Sequence, residues 1–283
     1  MIAAYLFTGP AMALLTIFLL LPLISVILLS FTNYDLSTIR WVGLNNYIHA
    51  FHDEVFIKSI QNTIFYAATN IPGQMILGLI LALILNEKIR ARGLYRTTYY
   101  FPVVTSMVVV AMVWLWIYEP GWGLLNQILS KLHLGRQNWL SDTHMAMPAI
   151  VIMSIWKGTG NAMILFLAGL QGIPEELYES AKIDGANRWN RFVHITLPLL
   201  KPTTFFIFVM YCIWAFQVFD QVYIMTKGGP VWSTTTIVHQ IYTSAFLYVE
   251  MGYASTFATI LFLIVLAITI VNLKVFKGAG TYE

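Results

Sequence analysis

The chain has 283 residues, of which 58% are hydrophobic and only 10% are charged, with a mean hydropathy of +0.71 and a net charge of +3. Soluble domains carry roughly 25% charged residues, so this composition excludes an ordinary water-soluble protein and indicates that lipid surrounds most of the chain. Unpaired backbone groups are costly in hydrocarbon and the apolar runs are unbroken, so we expect membrane-spanning helices and an all-α fold rather than a barrel.

Six apolar segments are long enough to cross a bilayer core of roughly 30 Å, which takes about 20 helical residues. In chain order, the predicted spans are residues 3–31, 59–85, 97–118, 145–170, 202–225 and 251–273. Pro22 is a candidate break in the first span, and Lys157 interrupts the fourth. No repeat and no Gly/Ser-rich linker divides the chain, so we predict a single transmembrane domain over residues 1–283.

Lysine and arginine are unevenly distributed between the two sets of connections, and cytoplasmic loops are enriched in these residues. One set, together with the C-terminal tail, contains ten of them: Lys88, Arg90, Arg92, Arg96, Lys182, Arg188, Arg191, Lys201, Lys274 and Lys277. The other set contains five: Arg40, Lys58, Lys131, Arg136 and Lys227. We therefore predict that both termini are cytoplasmic.

Motifs for enzymatic chemistry are missing from the sequence. Neither a G-x-S-x-G nucleophile turn nor an H-E-x-x-H metal motif occurs, and the six histidines lack ligand spacing. Cys212 is the single cysteine, so an intrachain disulfide is excluded. There is no G-x-x-x-x-G-K-[ST] phosphate loop, so we predict a chain that is not an enzyme, holds no cofactor or metal, and does not bind nucleic acid.

The connection over residues 171–201 is too long and too patterned for a simple loop. Pro174 suits a first helical position, and the two glutamates after it suit the positive end of a helix dipole. Gly185 is able to take the left-handed conformation that ends a helix, and residues 186–189 restart a helix that we expect to end before Pro198. The pattern predicts a helix-turn-helix, and from these residues alone a hairpin resting on lipid headgroups is equally compatible.

Glu179-Ser180-Ala181, followed after three residues by Gly185 and after nine more by Ile195-x-Leu197-Pro198, resembles the EAA signature of permease subunits of binding-protein-dependent ABC importers. Ser180 stands where that family has the first of two alanines. Other segments resemble the same family in the same order: residues 41–47 (Trp-Val-Gly-Leu-Asn-Asn-Tyr), Asn62-Thr63, residues 219–223 and 226–230, and Gly252-Tyr253-Ala254. The Gly-Gly-Pro segment is similar to the first of the two unequal permeases of maltose-type sugar importers.

This resemblance implies a function and a set of partners. The residues implied to dock on a cytoplasmic ATPase subunit are Glu179, Ser180, Ala181, Asp184, Gly185 and Ala186. The implied partners are a second, homologous permease, two ATPase subunits that bind ATP and Mg²⁺, an extracytoplasmic solute-binding protein and a sugar, polyol or glycerophosphate. The implied location is the cytoplasmic membrane of a prokaryote, and the implied mechanism is alternating access.

Two residues of the predicted fourth span are candidates for the solute path. Lys157 lies about 16 Å along that helix, near the bilayer centre, where a charge costs about 2.5–3.5 kcal/mol and must face protein or water. It either lines the path or pairs with Asp220, or it is a packing lysine satisfied by backbone carbonyls. Asn161 follows one turn later on the same side and is able to hydrogen-bond to a neighbouring helix.

The predicted fifth span is rich in aromatic residues and carries polar residues toward one end. Tyr211 and Trp214 offer rings for the CH faces of a sugar, and Gln217 and Asp220 offer partners for its hydroxyl groups, although such rings also commonly face lipid or core. Asp220 is predicted roughly 27 Å along the helix, near the outer surface, where it either contacts solute or fixes the following loop. An ion-driven secondary transporter is the alternative, but the inverted repeats typical of that class are not visible.

Overall fold

The computed structural model describes residues 2–87 and 90–276, so Lys88 and Lys277 of the predicted positive segments lie outside the described residues. Within these residues, four helices are long and apolar enough to cross a membrane. Two further helix pairs, each bent at a short break, raise the number to six if each pair counts as one span. The prediction of an all-α membrane protein with about six spans is confirmed.

A long helix at the N-terminus forms the first span. It consists of α1 (Ile2–Leu15), a π-helical turn (Thr16–Leu20) and α2 (Leu21–Leu29). The chain stays helical through Pro22, because the amide of Leu21 donates to the carbonyl of Thr16, five residues back, in a wider turn that makes room for the proline ring. None of the residues from Phe7 to Leu29 is buried, so the surface of this part is available to lipid or to a partner.

A small hairpin follows the first span and is the one departure from an all-α fold among the described residues. Its elements, with the short helix after it, are β1 (Thr32–Tyr34), β2 (Ile39–Trp41) and α3 (Asn45–Ala50). The Asn46 amide donates to the carbonyls of Ser30 and Thr32 at 3.0 and 2.9 Å, and the Tyr47 and Ser30 hydroxyls lie 2.7 Å apart. The run at residues 41–47 therefore ties α3 to the end of α2.

The middle of the chain contributes the helices α4 (Glu54–Asn86), α5 (Arg92–Val104), α6 (Met107–Ile117), α7 (Leu124–Lys131) and α8 (Ala146–Gln171). The two longest, α4 and α8, pack along each other and supply much of the buried core. Helix α5 also packs closely on α8, because Gly160 has no side chain and a Cβ there would collide with the Tyr99 carbonyl. These three helices make up one wall of the fold.

The third predicted span is not one straight helix, as the sequence had suggested. Helices α5 and α6 meet at an angle of 98°. Pro102 has no amide hydrogen for the helical ladder, and the Thr105 hydroxyl donates to the Phe101 carbonyl at 3.2 Å, so a side chain replaces a backbone donor. Thr105 itself is extended, which ends α5 and leaves its last carbonyls without helical partners.

The segment over residues 171–201 is a helix-turn-helix, as predicted. Its helices and the long helix that follows are α9 (Glu175–Ile183), α10 (Arg188–Arg191), α11 (Leu197–Leu199) and α12 (Lys201–Phe216). The predicted end before Pro198 is wrong, because a π-helical turn (Phe192–Thr196) carries the helix past the proline to Leu199. The helix then bends by 61° into α12.

The fifth predicted span is wrong in its second half. Helix α12 ends at Phe216, residues 217–219 are not helical, and a separate helix, α13 (Asp220–Met225), begins at Asp220. The Thr236 hydroxyl donates to the Val218 carbonyl at 2.9 Å, so a later loop replaces the helical partner that this carbonyl would have had. The chain continues through α14 (Ile237–Tyr242) and a π-helical turn (Thr243–Leu247) to the last span, α15 (Met251–Phe276).

Candidate functional site

A cavity of about 410 Å³ lies between α4, α8, α12, α13 and the bend that joins α5 to α6. All six residues predicted for the solute path line it, although they come from two predicted spans: Lys157, Asn161, Tyr211, Trp214, Gln217 and Asp220. The other lining residues are Tyr66, Asn70, Gln74, Val103, Met107, Ser154, Gly158, Ala215, Val218, Phe219 and Gln221. The structure therefore brings the predicted residues together, and their contact with a solute stays a prediction.

Lys157 caps the end of α5. Its ammonium group donates to the carbonyls of Pro102 and Val103, each at 3.2 Å. These are carbonyls that the bend leaves without a helical donor, at the negative end of the α5 dipole, where a cation is favourable. Within the described residues Lys157 forms no ion pair with Asp220, so the predicted pairing is not observed, whereas the predicted contact with backbone carbonyls is. The side chain borders the cavity at the same time.

Tyr211 links α12 to α8 at the side of the cavity. Its hydroxyl donates to the Gly158 carbonyl at 3.2 Å, and the Asn161 amide nitrogen lies 3.5 Å from the same hydroxyl. The ring of Trp214 packs against that of Tyr211 with 5.4 Å between the centroids, and Trp214 remains 49% exposed. A large, partly exposed aromatic face is thus held beside hydrogen-bonding groups.

The break between α12 and α13 places Gln217 and Asp220 at the cavity. A continuous helix would have carried Asp220 toward the membrane surface. Both side chains are exposed, and within the described part of the chain the Asp220 carboxylate makes no hydrogen bond to the loop after α13. The predicted role of Asp220 in fixing that loop is therefore not observed.

A polar face of α4 forms the opposite side of the cavity, and sequence reasoning missed it. Tyr66, Asn70 and Gln74 are spaced four residues apart in the largely apolar middle of α4, which places them on one face. Gln74 donates to the Asn70 amide oxygen at 2.9 Å and to the Ser154 carbonyl at 3.0 Å, and Gln221 donates to the Tyr66 hydroxyl at 2.8 Å. The i, i+4, i+8 spacing of polar residues was the signal available in the sequence.

The loop over residues 226–236 is held by the start of α4. The Asn62 amide donates to the carbonyls of Trp232 and Thr235 at 2.8 and 2.9 Å, and the Thr63 hydroxyl accepts from the Ile237 amide at 3.1 Å. The start of α4 therefore fixes the position of a loop that lies 170 residues away in the sequence. The loop in turn supports the break after α12 through the Thr236 side chain.

The helix-turn-helix at residues 175–199 has the turn that the sequence predicts. Gly185 adopts a φ of +80°, which glycine takes without the steric cost that a Cβ would add. The Gly185 amide donates to the Lys182 carbonyl, and the Ala186 amide donates to the Ala181 carbonyl at 2.8 Å, which closes the end of α9. Asn187 caps α10 by accepting from the Asn190 amide at 2.8 Å.

The predicted docking residues share this turn and the helix before it. Glu179, Ser180, Asp184 and Gly185 are exposed, and Ala181 and Ala186 are partly buried. Two apolar side chains stand beside them in unusually open positions, since Ile183 is 87% exposed and Trp189 is 68% exposed. Such a mixture of exposed apolar, small and charged groups is typical of a surface that meets another protein.

Among the described residues, no group of three His, Cys, Asp or Glu side chains could hold a metal ion.

The family model for the inner membrane component of binding-protein-dependent transport systems matches residues 74–275, which include most of the cavity and the whole helix-turn-helix. The chain belongs to this family.

The permease is similar to proteins of bacteria and archaea over almost its whole length. It is 38% identical to the probable ABC transporter permease protein YurN of Bacillus subtilis, over 98% of this chain and 96% of that one. It is also 38% identical to the trehalose/maltose transport system permease protein MalF of Thermococcus litoralis, over 96% and 92%. A solved chain of a bacterial alginate ABC transporter, in complex with alginate pentasaccharide-bound periplasmic protein, matches with a TM-score of 0.88 at 26% identity, over 99% and 96%.

Family membership decides between the alternatives that the sequence left open. The protein is an ABC importer permease rather than an ion-driven secondary transporter, and the subunits it resembles are permeases rather than enzymes. It is an integral membrane protein. The resemblance seen in the helix-turn-helix and in the ordered segments from residue 41 to residue 254 is confirmed.

Proposed function

We propose that this permease moves a sugar or oligosaccharide across the cytoplasmic membrane of a prokaryote by alternating access, driven by ATP that a separate chain hydrolyses. The observation that carries the proposal is the composition of the cavity, where the half-exposed ring of Trp214 lies among amide and hydroxyl groups. Sugars present apolar CH faces and a rim of hydroxyl groups, and the residues that line the cavity offer partners for both. Polyols and glycerophosphates are the related solutes that the family leaves open.

The names of two similar proteins support the same class of solute. One is a permease of a trehalose/maltose transport system, and the other belongs to an alginate transporter. Many weak contacts, rather than a few strong ones, suit a site that must bind a solute and then release it on the other side. The cavity has this character because Gln74 and Gln221 already donate to Asn70 and to the Tyr66 hydroxyl, and each retains its amide oxygen as an acceptor.

The cavity of this chain is open on one side, which a second, homologous permease subunit would close. We propose that two ATPase subunits, which bind ATP and Mg²⁺, complete the transporter. We further propose that an extracytoplasmic solute-binding protein delivers the sugar. No cofactor is proposed for this chain itself. The presence of a sugar-loaded periplasmic protein in the complex of the alginate transporter supports this arrangement.

The helix-turn-helix is the proposed docking site for one ATPase subunit, through Glu179, Ser180, Ala181, Asp184, Gly185 and Ala186. Its Ile183 and Trp189 side chains are exposed and would be buried on docking, because large exposed apolar side chains are typical of protein–protein interaction sites. This requires residues 171–201 on the cytoplasmic side. The excess of lysine and arginine in that connection supports this orientation, and with it cytoplasmic termini.

The test is reconstitution of the complete transporter. The permease is expressed with the chains encoded beside it, purified through a tag on the permease, and placed in lipid vesicles with the solute-binding protein. We expect an ATPase and a second permease to co-purify and sugar-loaded binding protein to stimulate both ATP hydrolysis and uptake. Uptake by the permease alone, driven by an ion gradient and abolished by an ionophore, would instead support the secondary transporter.

A further inference from the structure

We infer that the cavity selects neutral saccharides and rejects solutes that carry a carboxylate, phosphate or sulfonate group, with Asp220 as the residue that rejects them. This inference rests on the proposed function, since it narrows the class of sugar that the same site accepts. It depends on the hydrogen bonds made by Lys157 and Asp220, the two charged side chains among the described residues that line the cavity, here called the cavity wall.

Lys157, the one cation among the described residues of the cavity wall, is already hydrogen-bonded. Lys157 donates to the carbonyls of Pro102 and Val103, and the end of a helix adds a partial negative charge of roughly half an elementary unit beside it. Only the third of its N–H donors remains for an anionic solute, unless that solute displaces the two backbone oxygens. Releasing them would leave the end of α5 without donors at the bend. Lys157 is therefore a poor receptor for an anion.

Asp220, the one anion among the described residues of the cavity wall, has no side-chain partner there. The Asp220 side chain is exposed at the cavity, and it forms neither an ion pair nor a side-chain hydrogen bond within the described residues. A solute with a negative charge about 8 Å away, at an effective dielectric constant of about 20, would bind roughly four- to thirtyfold more weakly than its neutral counterpart, the smaller figure applying at physiological salt. A hydroxyl group, in contrast, gains a charged acceptor.

The remaining polar groups suit an uncharged solute. Five side-chain amides among the described residues line the cavity, and together they leave both donor and acceptor atoms free: Asn70, Asn161, Gln74, Gln217 and Gln221. Recognition of an anion would need donors in excess, such as an arginine fork, and the described wall contains no arginine. A sugar hydroxyl both donates and accepts, which matches amides. The geometry thus favours polyhydroxylated, neutral solutes.

The test measures weak binding to the transmembrane cavity directly, so that the selectivity of the solute-binding protein does not enter. The complete transporter in nanodiscs, without binding protein, is titrated with methyl α-glucoside and with methyl α-glucuronide, followed by saturation-transfer NMR. These probes differ only by a hydroxymethyl group against a carboxylate. We expect the glucoside to bind roughly four- to thirtyfold more tightly, and Trp214→Ala to remove the signal of both.

Charge variants assign the effect to one residue. Asp220→Asn should bring the two affinities within about twofold of each other, and Gln217→Glu should weaken the glucuronide further while retaining the glucoside. Glu250→Gln, which removes an exposed carboxylate outside the cavity wall, is the matched control and should leave the ratio unchanged. The Gln217 variant keeps the test decisive if Asp220→Asn folds poorly.

Three results would overturn the inference. These are equal or tighter binding of the glucuronide, a ratio that neither cavity variant changes, and binding of neither probe. None of them depends on ATP hydrolysis or on uptake in the reconstitution described above. A transporter that imports an acidic sugar would therefore refute this inference and still confirm the importer, whereas loss of all sugar-stimulated uptake would refute the importer.

Discussion

Lys157→Leu removes the ammonium group that donates to the carbonyls of Pro102 and Val103. Hydrogen bonds from a charged donor contribute about 1.5–3 kcal/mol each, so the loss of two costs about 3–6 kcal/mol. The same substitution removes a charge that costs about 2.5–3.5 kcal/mol near the centre of a membrane-spanning helix. The two effects nearly cancel, and we expect a net loss in folding free energy of roughly 0–3 kcal/mol.

The variant should therefore insert and fold, yet its cavity should be altered. Val103 and Met107 line the cavity on either side of the α5–α6 bend, so a bend without its cap moves two wall residues. We expect uptake in reconstituted vesicles to fall about fivefold or more, with a nearly unchanged yield of monodisperse protein on size-exclusion chromatography. Lys131→Leu, at an exposed lysine of α7, is the matched control and should leave uptake intact.

Two outcomes would refute this reasoning. Wild-type uptake by Lys157→Leu would show that the two hydrogen bonds do not set the shape of the cavity. Aggregation of the variant would show that the cost of the orphaned carbonyls far exceeds the gain from removing a buried charge. Lys157→Arg separates these effects, because it keeps a cation at the end of α5 and should fold like the wild type.

Three further predictions concern positions away from the cavity wall. Gly185→Pro cannot adopt the φ of +80° and Glu179→Lys reverses a charge beside it, so both should abolish solute-stimulated ATPase activity while leaving membrane insertion, measured by alkaline extraction, unchanged. Asn62→Ala orphans two carbonyls of the 226–236 loop at about 1–3 kcal/mol in total and should lower the Tm in detergent by several degrees, whereas an unchanged Tm would mean that the loop is held elsewhere. Gly160→Val should reduce the yield of folded protein, since its side chain collides with the Tyr99 backbone, and normal yield would contradict the observed close approach of α5 and α8.

The sequence predicts those features that depend on local chemistry. The left-handed turn at Gly185 follows from a glycine after a helical run, and the last span follows from its uninterrupted hydropathy. Apolar composition alone does not distinguish a straight span from a bent one, so the 98° angle between α5 and α6 was missed. The break after Phe216 was missed for a related reason, since its partner, Thr236, is distant in sequence.

Prolines illustrate the same limit. Pro22 and Pro198 both read as helix ends, because a proline lacks an amide hydrogen and collides with the preceding turn. In both places a π-helical turn of five residues lies just before the proline and lets the helix continue. No residue type in those turns marks them in advance. The polar face of α4, in contrast, was available from its spacing of four and was overlooked among apolar neighbours.

The two helices that flank the helix-turn-helix also build the cavity, which relates the proposed docking site to the proposed solute path. Helix α8 runs from Lys157 at the cavity to Gln171 before the turn, about 21 Å at 1.5 Å per residue, and α12 returns from Lys201 to Trp214 over a similar length. The Tyr178 hydroxyl lies 2.9 Å from that of Thr196, which joins the two arms of the turn. A displacement of the turn therefore reaches both walls together. Rigid helices in this arrangement are able to open or close the cavity as a unit, whereas a mobile loop at the same place would absorb the motion.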